Sequence, residues 1–314
     1  MLHLDDAHLV ATEFGLGPHA VLEGPVARGM VGQVWRLVTP DGSFAVKEPF
    51  EPPDESASDD EATFQDLGVA AGVPAPRVVR TPAGRVLARV RGTAIRVYEW
   101  VDLLAPVRDL DPGAVAQAVA RLHRVEYVGR KGVNPWYTEP IGREEWRSVV
   151  HDLTEAAAPF ADEFAARLEE LIALERSIEP PTDLQTCHRE LFADNVLATV
   201  SGSVCIIDWE NSGLADPSQE LAVVLFEFAG DDARRARDLY DAYRELGGPG
   251  VVARPESFSM VIAQLGHIGR HAARRWLADS RPDERERNTA RVEEFLVDGI
   301  TRRRIDQLLD ALIR

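Results

Sequence analysis

With 314 residues, 45% hydrophobic and 28% charged, the chain has the make-up of an ordinary globular protein, long enough for two lobes with a substantial core. Its 35 Lys plus Arg against 52 Asp plus Glu leave a formal charge of −17; such a surface repels phosphate backbones and anionic lipid and attracts a polycation, so nucleic acid and membrane partners are set aside. No apolar run approaches a membrane span, and Met1 to Asp6 lack the basic-then-apolar order of a signal peptide, so a cytoplasmic location is expected, with Cys187 and Cys205 as buried packing residues rather than a disulfide.

The first clear unit runs from Gly24 to Phe50. The stretch Arg28-Gly29-Met30-Val31-Gly32-Gln33-Val34 places two glycines between apolar β-rich runs, and Pro40-Asp41-Gly42 turns the chain into Phe44-Ala45-Val46-Lys47. Gly29 and Gly32 either let backbone N–H groups approach phosphate without an intervening Cβ or serve as plain turn residues. Lys47, ending a strand just after that hairpin, is a candidate phosphate ligand, with a snorkelling surface lysine as the plain alternative. Glu51 to Asp60 is rich in Pro, Ser and acid and reads as a surface connection. Ser58-Asp59-Asp60-Glu61 then has capping-box spacing ahead of a helix with Phe64, Leu67 and Ala71 in period. Glu61 is either the reciprocal cap on Ser58 or an ion-pair partner for Lys47.

Val86 to Val90 and Ala94 to Trp100 form a second hairpin, after which helical periods replace β-rich runs: Pro112 to Val125, Glu144 to Ala158 and Phe160 to Ile178. The boundary is therefore placed near Val101, dividing the chain into 1–100 and 101–314. A connection between a β lobe and a helical lobe is where a nucleotide base can lie, bonded to main-chain groups of Glu99 and Val101.

The densest signal comes next. His188-Arg189-Glu190-Leu191-Phe192-Ala193-Asp194-Asn195 is followed thirteen positions after Asn195 by Asp208, within Ile206-Ile207-Asp208-Trp209-Glu210. Short strands at Leu184 to Cys187, Asn195 to Thr199 and Val204 to Asp208, with a turn at Ser201-Gly202-Ser203, bring Asn195 and Asp208 to one end while the 188–194 loop crosses over them. Phosphoryl transfer needs a base near the attacking hydroxyl and hard oxygen ligands for Mg²⁺, and this segment has the spacing for both. Where the pattern H-x-D-x-x-x-x-N has aspartate, this chain carries Glu190, one methylene longer.

Leu221 to Phe228, Ala233 to Leu246, Ser257 to Leu277 and Arg285 to Leu312 read as helices, broken at Gly247-Gly248-Pro249-Gly250 and Ser280-Arg281-Pro282. His267, Arg270, His271 and Arg274 share a face, either solvated or offered to an anion. Glu210, Asp231 and Asp232 follow the hairpin in sequence and are candidates for holding a cationic substrate.

From about Glu23 to Phe226 the chain resembles the aminoglycoside phosphotransferase family, the small-molecule branch of the protein-kinase-like fold, most specifically in the catalytic hairpin and in Ala215-Asp216-Pro217-Ser218-Gln219-Glu220-Leu221-Ala222. The resemblance implies an α+β bilobal fold, with a small antiparallel β lobe carrying one helix and a larger, mainly helical lobe. It places Glu190 at the base, Asn195 and Asp208 at Mg²⁺, and Lys47 with Glu61 at the phosphates of ATP or GTP. Glu220, like Glu190, stands where the family has aspartate, at a helix start that braces the catalytic loop. The implied activity is phosphorylation of a small-molecule hydroxyl, on an amine-bearing antibiotic first and an amino alcohol or sugar second. A nucleotide-binding module with transfer impaired by Glu190 is the third reading.

Overall fold

The computed structural model describes residues 1–29, 31–279 and 281–313. Met30 of the glycine hairpin and Ser280 of the late helix break lie outside the described residues.

The N-terminal part is built on one antiparallel sheet. Strands β1 (Val21–Arg28), β2 (Gly32–Thr39), β3 (Gly42–Pro49), β4 (Val78–Val79), β5 (Ala88–Val90) and β6 (Thr93–Glu99) run in the order β1-β2-β3-β6-β4, with β5 paired to β6. Period-two alternation sets its faces. In β2, Trp35 and Leu37 turn into the core between less buried neighbours, and across β3 and β6 Val46 faces Val97 on that same apolar side. Lys47 and its cross-strand partner Arg96 therefore stand side by side on the other face, directed at the cleft. Gly32 is required here by close packing, because a Cβ would meet the Glu48 carbonyl oxygen at 2.7 Å.

Residues 1–23 precede the first element expected from sequence. Helix α1 (Ala7–Phe14) covers the apolar face of the sheet with Ala7, Val10, Ala11 and Phe14, an i, i+3, i+4, i+7 stripe, and ends at Gly15 in the left-handed region. Helix α2 (Glu55–Ala70) begins earlier than the expected capping box: Asp54 is the cap, accepting from the Ala57 N–H at 2.7 Å, and Ser58 and Glu61 sit inside the helix. Aspartate is a strong N-cap, and once it starts the helix at Glu55 the Ser58 hydroxyl donates back to the Asp54 carbonyl instead.

The helical part comprises α3 (Pro112–His123), a single turn α4 (Pro135–Thr138), α5 (Arg143–Glu155), α6 (Ala161–Glu175), α7 (Pro217–Ala229), α8 (Ala233–Glu245), α9 (Ser259–Ala278), α10 (Pro282–Asp298) and α11 (Arg302–Leu312). Every residue of α7 except Ser218 is buried, so this helix is enclosed on all sides, with Gln219, Glu220 and Glu227 as its buried polar residues, and forms the centre against which α3, α8 and α9 pack. The single helix expected from Arg285 to Leu312 is two, because the chain is extended at Gly299 and Thr301 caps α11 by accepting from the Arg304 N–H at 3.1 Å.

Between these parts the segment from residue 185 to residue 215 forms two small ribbons. Strand β7 (Gln185–Cys187) pairs with β10 (Gly213–Ala215), and β8 (Val196–Ala198) pairs with β9 (Val204–Ile206). Leu103 bridges Thr199, so the segment leaving the large sheet lies along this second ribbon. Among the described residues no helix is long and apolar enough to cross a membrane, and Cys187 and Cys205 are free thiols, both buried.

Candidate active site

The loop from His188 to Asn195 is fixed by backbone-directed bonds. Glu220, fully buried in the first turn of α7, accepts from the main-chain N–H groups of His188 and Arg189 and from His123 Nε2 at 2.8 Å. Burial works to raise the Glu220 carboxyl, but His123 and these amide donors outweigh it and hold the group below its ordinary value. The glutamate thus braces the loop as the sequence suggested. His188 Nε2 lies 2.9 Å from the Ile207 carbonyl, which can only accept, so the proton is on Nε2 and Nδ1 faces the Glu190 N–H at 3.4 Å. Burial lowers the His188 pKa, consistent with a neutral ring.

Arg189 adopts the left-handed conformation, φ 72°, which carries its side chain under the loop. The guanidinium stacks 4.7 Å from the Tyr137 ring centroid and donates to the carbonyls of Asn211 and Gly132 at 2.5 and 3.1 Å. Glu190 is half-buried, with the Tyr137 hydroxyl 3.2 Å from its Oε1. Asn195 Nδ2 donates to the Glu190 carbonyl at 3.0 Å, so the amide must turn its oxygen the other way.

Asp208 follows β9 in the left-handed region, φ 61°, and the 3-10 turn Trp209–Asn211 then reverses the chain. Trp209 locks that turn against α2, edge-on to Phe64 at 5.3 Å and over Gly68, where a Cβ would meet its ring at 2.9 Å. The reversal decides the ion pairs. Lys47 Nζ lies 2.8 Å from Asp208 Oδ1 and 2.8 Å from Glu210 Oε2, while Glu210 Oε1 is 3.5 Å from Arg96. Burial disfavours the Lys47 charge, yet Asp208 and Glu210 keep the ammonium firmly protonated. Burial likewise pushes the Asp208 carboxyl up, and Lys47 more than reverses it.

Two assignments change as a result. Glu61 does not partner Lys47; it pairs with Arg96 at 2.8 Å and with Lys131, because Arg96 stands opposite Lys47 in the sheet and is the cation facing α2. Glu210 takes that place, being folded back between Lys47 and Arg96 instead of facing outward to a cationic substrate. Asp231 and Asp232 are also differently employed. Asp232 caps α8, accepting from the Arg234 and Arg235 N–H groups, and exposed Asp231 pairs with Arg304 at 3.3 Å, both lining a cavity of about 380 Å³ between Arg108, Phe226 and Arg304.

Gly29 and Gly32 close the first hairpin, the Gly29 N–H bonding the Gly32 carbonyl at 2.9 Å. The Glu99 N–H bonds the Arg77 carbonyl at 2.9 Å, so that donor is already committed, and Val101 follows two residues on. The basic stripe of α9 is partly exposed, but its arginines are already paired. Arg270 and Arg274 pair with Glu145 of α5 at 2.9 and 3.1 Å, and His267 stacks on Trp136 at 4.9 Å.

Sequence reasoning missed Arg96, Lys131 and Tyr137. The register of β3 against β6 carries the signal for Arg96, since pairing Val46 with Val97 puts Lys47 beside it. Lys131 and Tyr137 belong to residues 125–138, which have no period to read. This strap ties the site together: the Tyr127 hydroxyl and Arg130 N–H donate to the Asp60 carboxylate at 2.6 and 2.8 Å, and Lys131 donates to Glu61 and, at 2.5 Å, to the Glu210 carbonyl.

Several solved structures resemble most of the chain. A spectinomycin phosphotransferase solved with ADP and spectinomycin is 14% identical, covering 95% of this chain and 98% of that one, with a TM-score of 0.70. An amicoumacin kinase solved with AMP-PNP and Ca²⁺ is 14% identical over 86% of each chain, TM-score 0.59. A choline/ethanolamine kinase family protein from Mesorhizobium loti is 18% identical over 93% and 92%, TM-score 0.53. These likenesses establish the fold as that of protein-kinase-like phosphotransferases. No curated protein matches the sequence. The model of the phosphotransferase enzyme family that includes the aminoglycoside phosphotransferases matches residues 24–254, nearly three quarters of the chain, and the chain belongs to that family.

Proposed function

We propose that this chain transfers the γ-phosphoryl group of ATP or GTP to a hydroxyl of a small molecule in a Mg²⁺-dependent reaction. The observation that carries this reading is the closeness of Glu190, Asn195, Asp208 and Lys47: Asn195 Nδ2 donates to the Glu190 main-chain carbonyl at 3.0 Å, the Ile207 N–H next to Asp208 donates to the Asn195 carbonyl at 2.9 Å, and Lys47 pairs with Asp208 at 2.8 Å. The amide oxygen of Asn195 and the Asp208 carboxylate are hard oxygen donors of the kind Mg²⁺ takes, and the ion would neutralise phosphate charge there. Lys47 orients the phosphates, the hairpin at Gly29 and Gly32 covers them, and the Glu99 carbonyl with the Val101 N–H receives the base. Glu190 accepts the proton of the acceptor hydroxyl as its oxygen bonds to the γ-phosphorus and the bond to the β-phosphate oxygen breaks, releasing the nucleoside diphosphate.

The leading acceptor is an amine-bearing antibiotic, supported by the spectinomycin and amicoumacin kinases of like fold and by the charge of −17. The likeness to a choline/ethanolamine kinase family protein favours an amino alcohol as the second reading. The test is phosphorylation, read by mass, of spectinomycin, kanamycin, erythromycin, choline and ethanolamine with Mg²⁺ and either nucleotide. One of these compounds should gain a phosphoryl group in wild type, and Glu190→Gln should lose at least about 10²-fold in kcat while keeping its nucleotide affinity. Nucleotide binding without transfer to any of them would reduce the protein to a binding module, and full transfer by Glu190→Gln would remove Glu190 as the base.

A further inference from the structure

The Glu190 side chain is one methylene longer than aspartate, and that length must be controlled. Its backbone is held on both sides, by Asn195 Nδ2 on its carbonyl at 3.0 Å and by His188 Nδ1 facing its N–H at 3.4 Å. Neither contact restrains the carboxylate, which sits one rotatable bond farther out than that of aspartate. The hydroxyl of Tyr137 does reach it, 3.2 Å from Oε1. This tyrosine is itself immobilised. Its ring is 4% exposed and stacked on the Arg189 guanidinium, and the single turn that carries it is capped by Asn134, whose Oδ1 accepts from the Trp136 N–H at 2.9 Å. Arg189 in turn is set by its left-handed backbone and by buried Gln264, which donates to the Arg189 carbonyl at 2.7 Å.

A chain of fixed contacts therefore runs from Gln264 through Arg189 and the Tyr137 ring to one oxygen of Glu190. Burial together with the Glu190 charge pushes the phenol well above its ordinary range, so Tyr137 remains a donor. We infer that Tyr137 is a positioning residue for phosphoryl transfer: it holds Oε1 of Glu190, directs Oε2 to the acceptor hydroxyl, and so takes up the extra methylene at the base position. The contact is longer than the roughly 2.7 Å of a tight O–H···O⁻ bond, which leaves the carboxylate room to advance as the acceptor binds. The inference rests on Glu190 being the base.

The experiment is a double-mutant cycle in kcat on whichever panel compound wild type phosphorylates, combining Tyr137→Phe with Glu190→Asp. Phenylalanine keeps the ring on Arg189 and removes the hydroxyl alone. Tyr137→Phe should lower kcat about 10- to 100-fold, the size of an ångström-scale misplacement, with the nucleotide KM and the denaturation midpoint little changed. In the Glu190→Asp background, whose shorter carboxylate falls out of the hydroxyl's reach, the same substitution should change kcat less than about twofold. An unaltered kcat in Tyr137→Phe, or an equal loss in both backgrounds, overturns the role of Tyr137 while leaving the transferase reading standing. Absence of transfer by wild type fails the transferase reading, and this one with it.

Discussion

Glu61 and Glu210 are both carboxylates near a lysine, and the difference between them is set by a single cross-strand pairing. Arg96 lies opposite Lys47, so two cations share the cleft face of the sheet and two carboxylates divide them. Glu61 and Arg96 are each about 5% exposed, a buried pair whose partner must not be removed alone. Burial raises the Glu61 carboxyl more than Arg96 and Lys131 lower it, and Glu210 still faces Arg96 at 3.5 Å, so Glu61→Gln should destabilise the fold by only about 1–2 kcal/mol, leaving the nucleotide KM of the folded fraction nearly unchanged. Glu210→Gln should have the opposite signature, a higher nucleotide KM and about tenfold lower kcat with a small change in stability, because it loosens Lys47. Denaturant melts and steady-state kinetics of the two variants separate the roles; a raised nucleotide KM with unchanged stability in Glu61→Gln would return that residue to the phosphate clamp. At this scale the candidate catalytic residues stand out in sequence because the His188 to Asp208 spacing is local and chemically demanding. Partners of Lys47 were not, because an ion pair between residues 47 and 210 depends on how a three-residue turn folds back after Asp208.

Among the elements, the seam between α5 and α9 shows charge used for packing. Glu145 receives Arg270 and Arg274, one helical turn apart on α9, so a stripe that looks solvated in sequence is an interhelical contact. Burial tends to raise the Glu145 carboxyl, but the two arginines prevail and hold it below its unfolded value of 4.5. A carboxyl with a depressed folded pKa adds stability that is complete above about 4.5 and is lost as pH falls through the folded value. Glu145 is 31% exposed, so its contribution is at the modest scale of surface pairs, ~0.5 kcal/mol. The stability gap between wild type and Glu145→Gln should be present at pH 7 and shrink once pH drops below about 4; a gap constant with pH would mean that the seam is held by packing alone. Helix existence was largely readable from period. What escaped was the set of elements whose cues are nonlocal or too short: α1, whose stripe from Ala7 to Phe14 precedes the first unit read from sequence, the single turn α4, and the break at Gly299 that divides α10 from α11.

For the whole molecule, ligand binding to the folded state alone raises stability by RT ln(1 + [L]/Kd), about 2.7 kcal/mol at a hundredfold excess. ATP with Mg²⁺ should raise the melting temperature more than either alone, and Asp208→Asn should remove most of the metal-dependent part. A wild type whose melting temperature ignores nucleotide at saturating Mg²⁺ would contradict the proposed function. The net charge of −17 favours a cationic acceptor but does not say where one would sit. The acids are distributed as caps and ion pairs, as at Asp54, Asp232 and Glu145, and Asp231 and Asp232 do not join the catalytic corner.

The strap between α3 and α4 bears on how such proteins can be recombined. Asp60 and Glu61 of α2 receive donors from Tyr127, Arg130 and Lys131, and Arg121 reaches the Gly72 carbonyl. A chimaera joined at residue 100 would give α2 a foreign strap, taking Tyr127 and Arg130 from half-buried Asp60 and leaving buried Glu61 with Arg96 alone, although the cut looks natural between sheet and helices. Lobe exchange between family members is thus constrained to carry residues 126–132 along with the N-terminal lobe, so that the transferable unit is discontinuous in the chain.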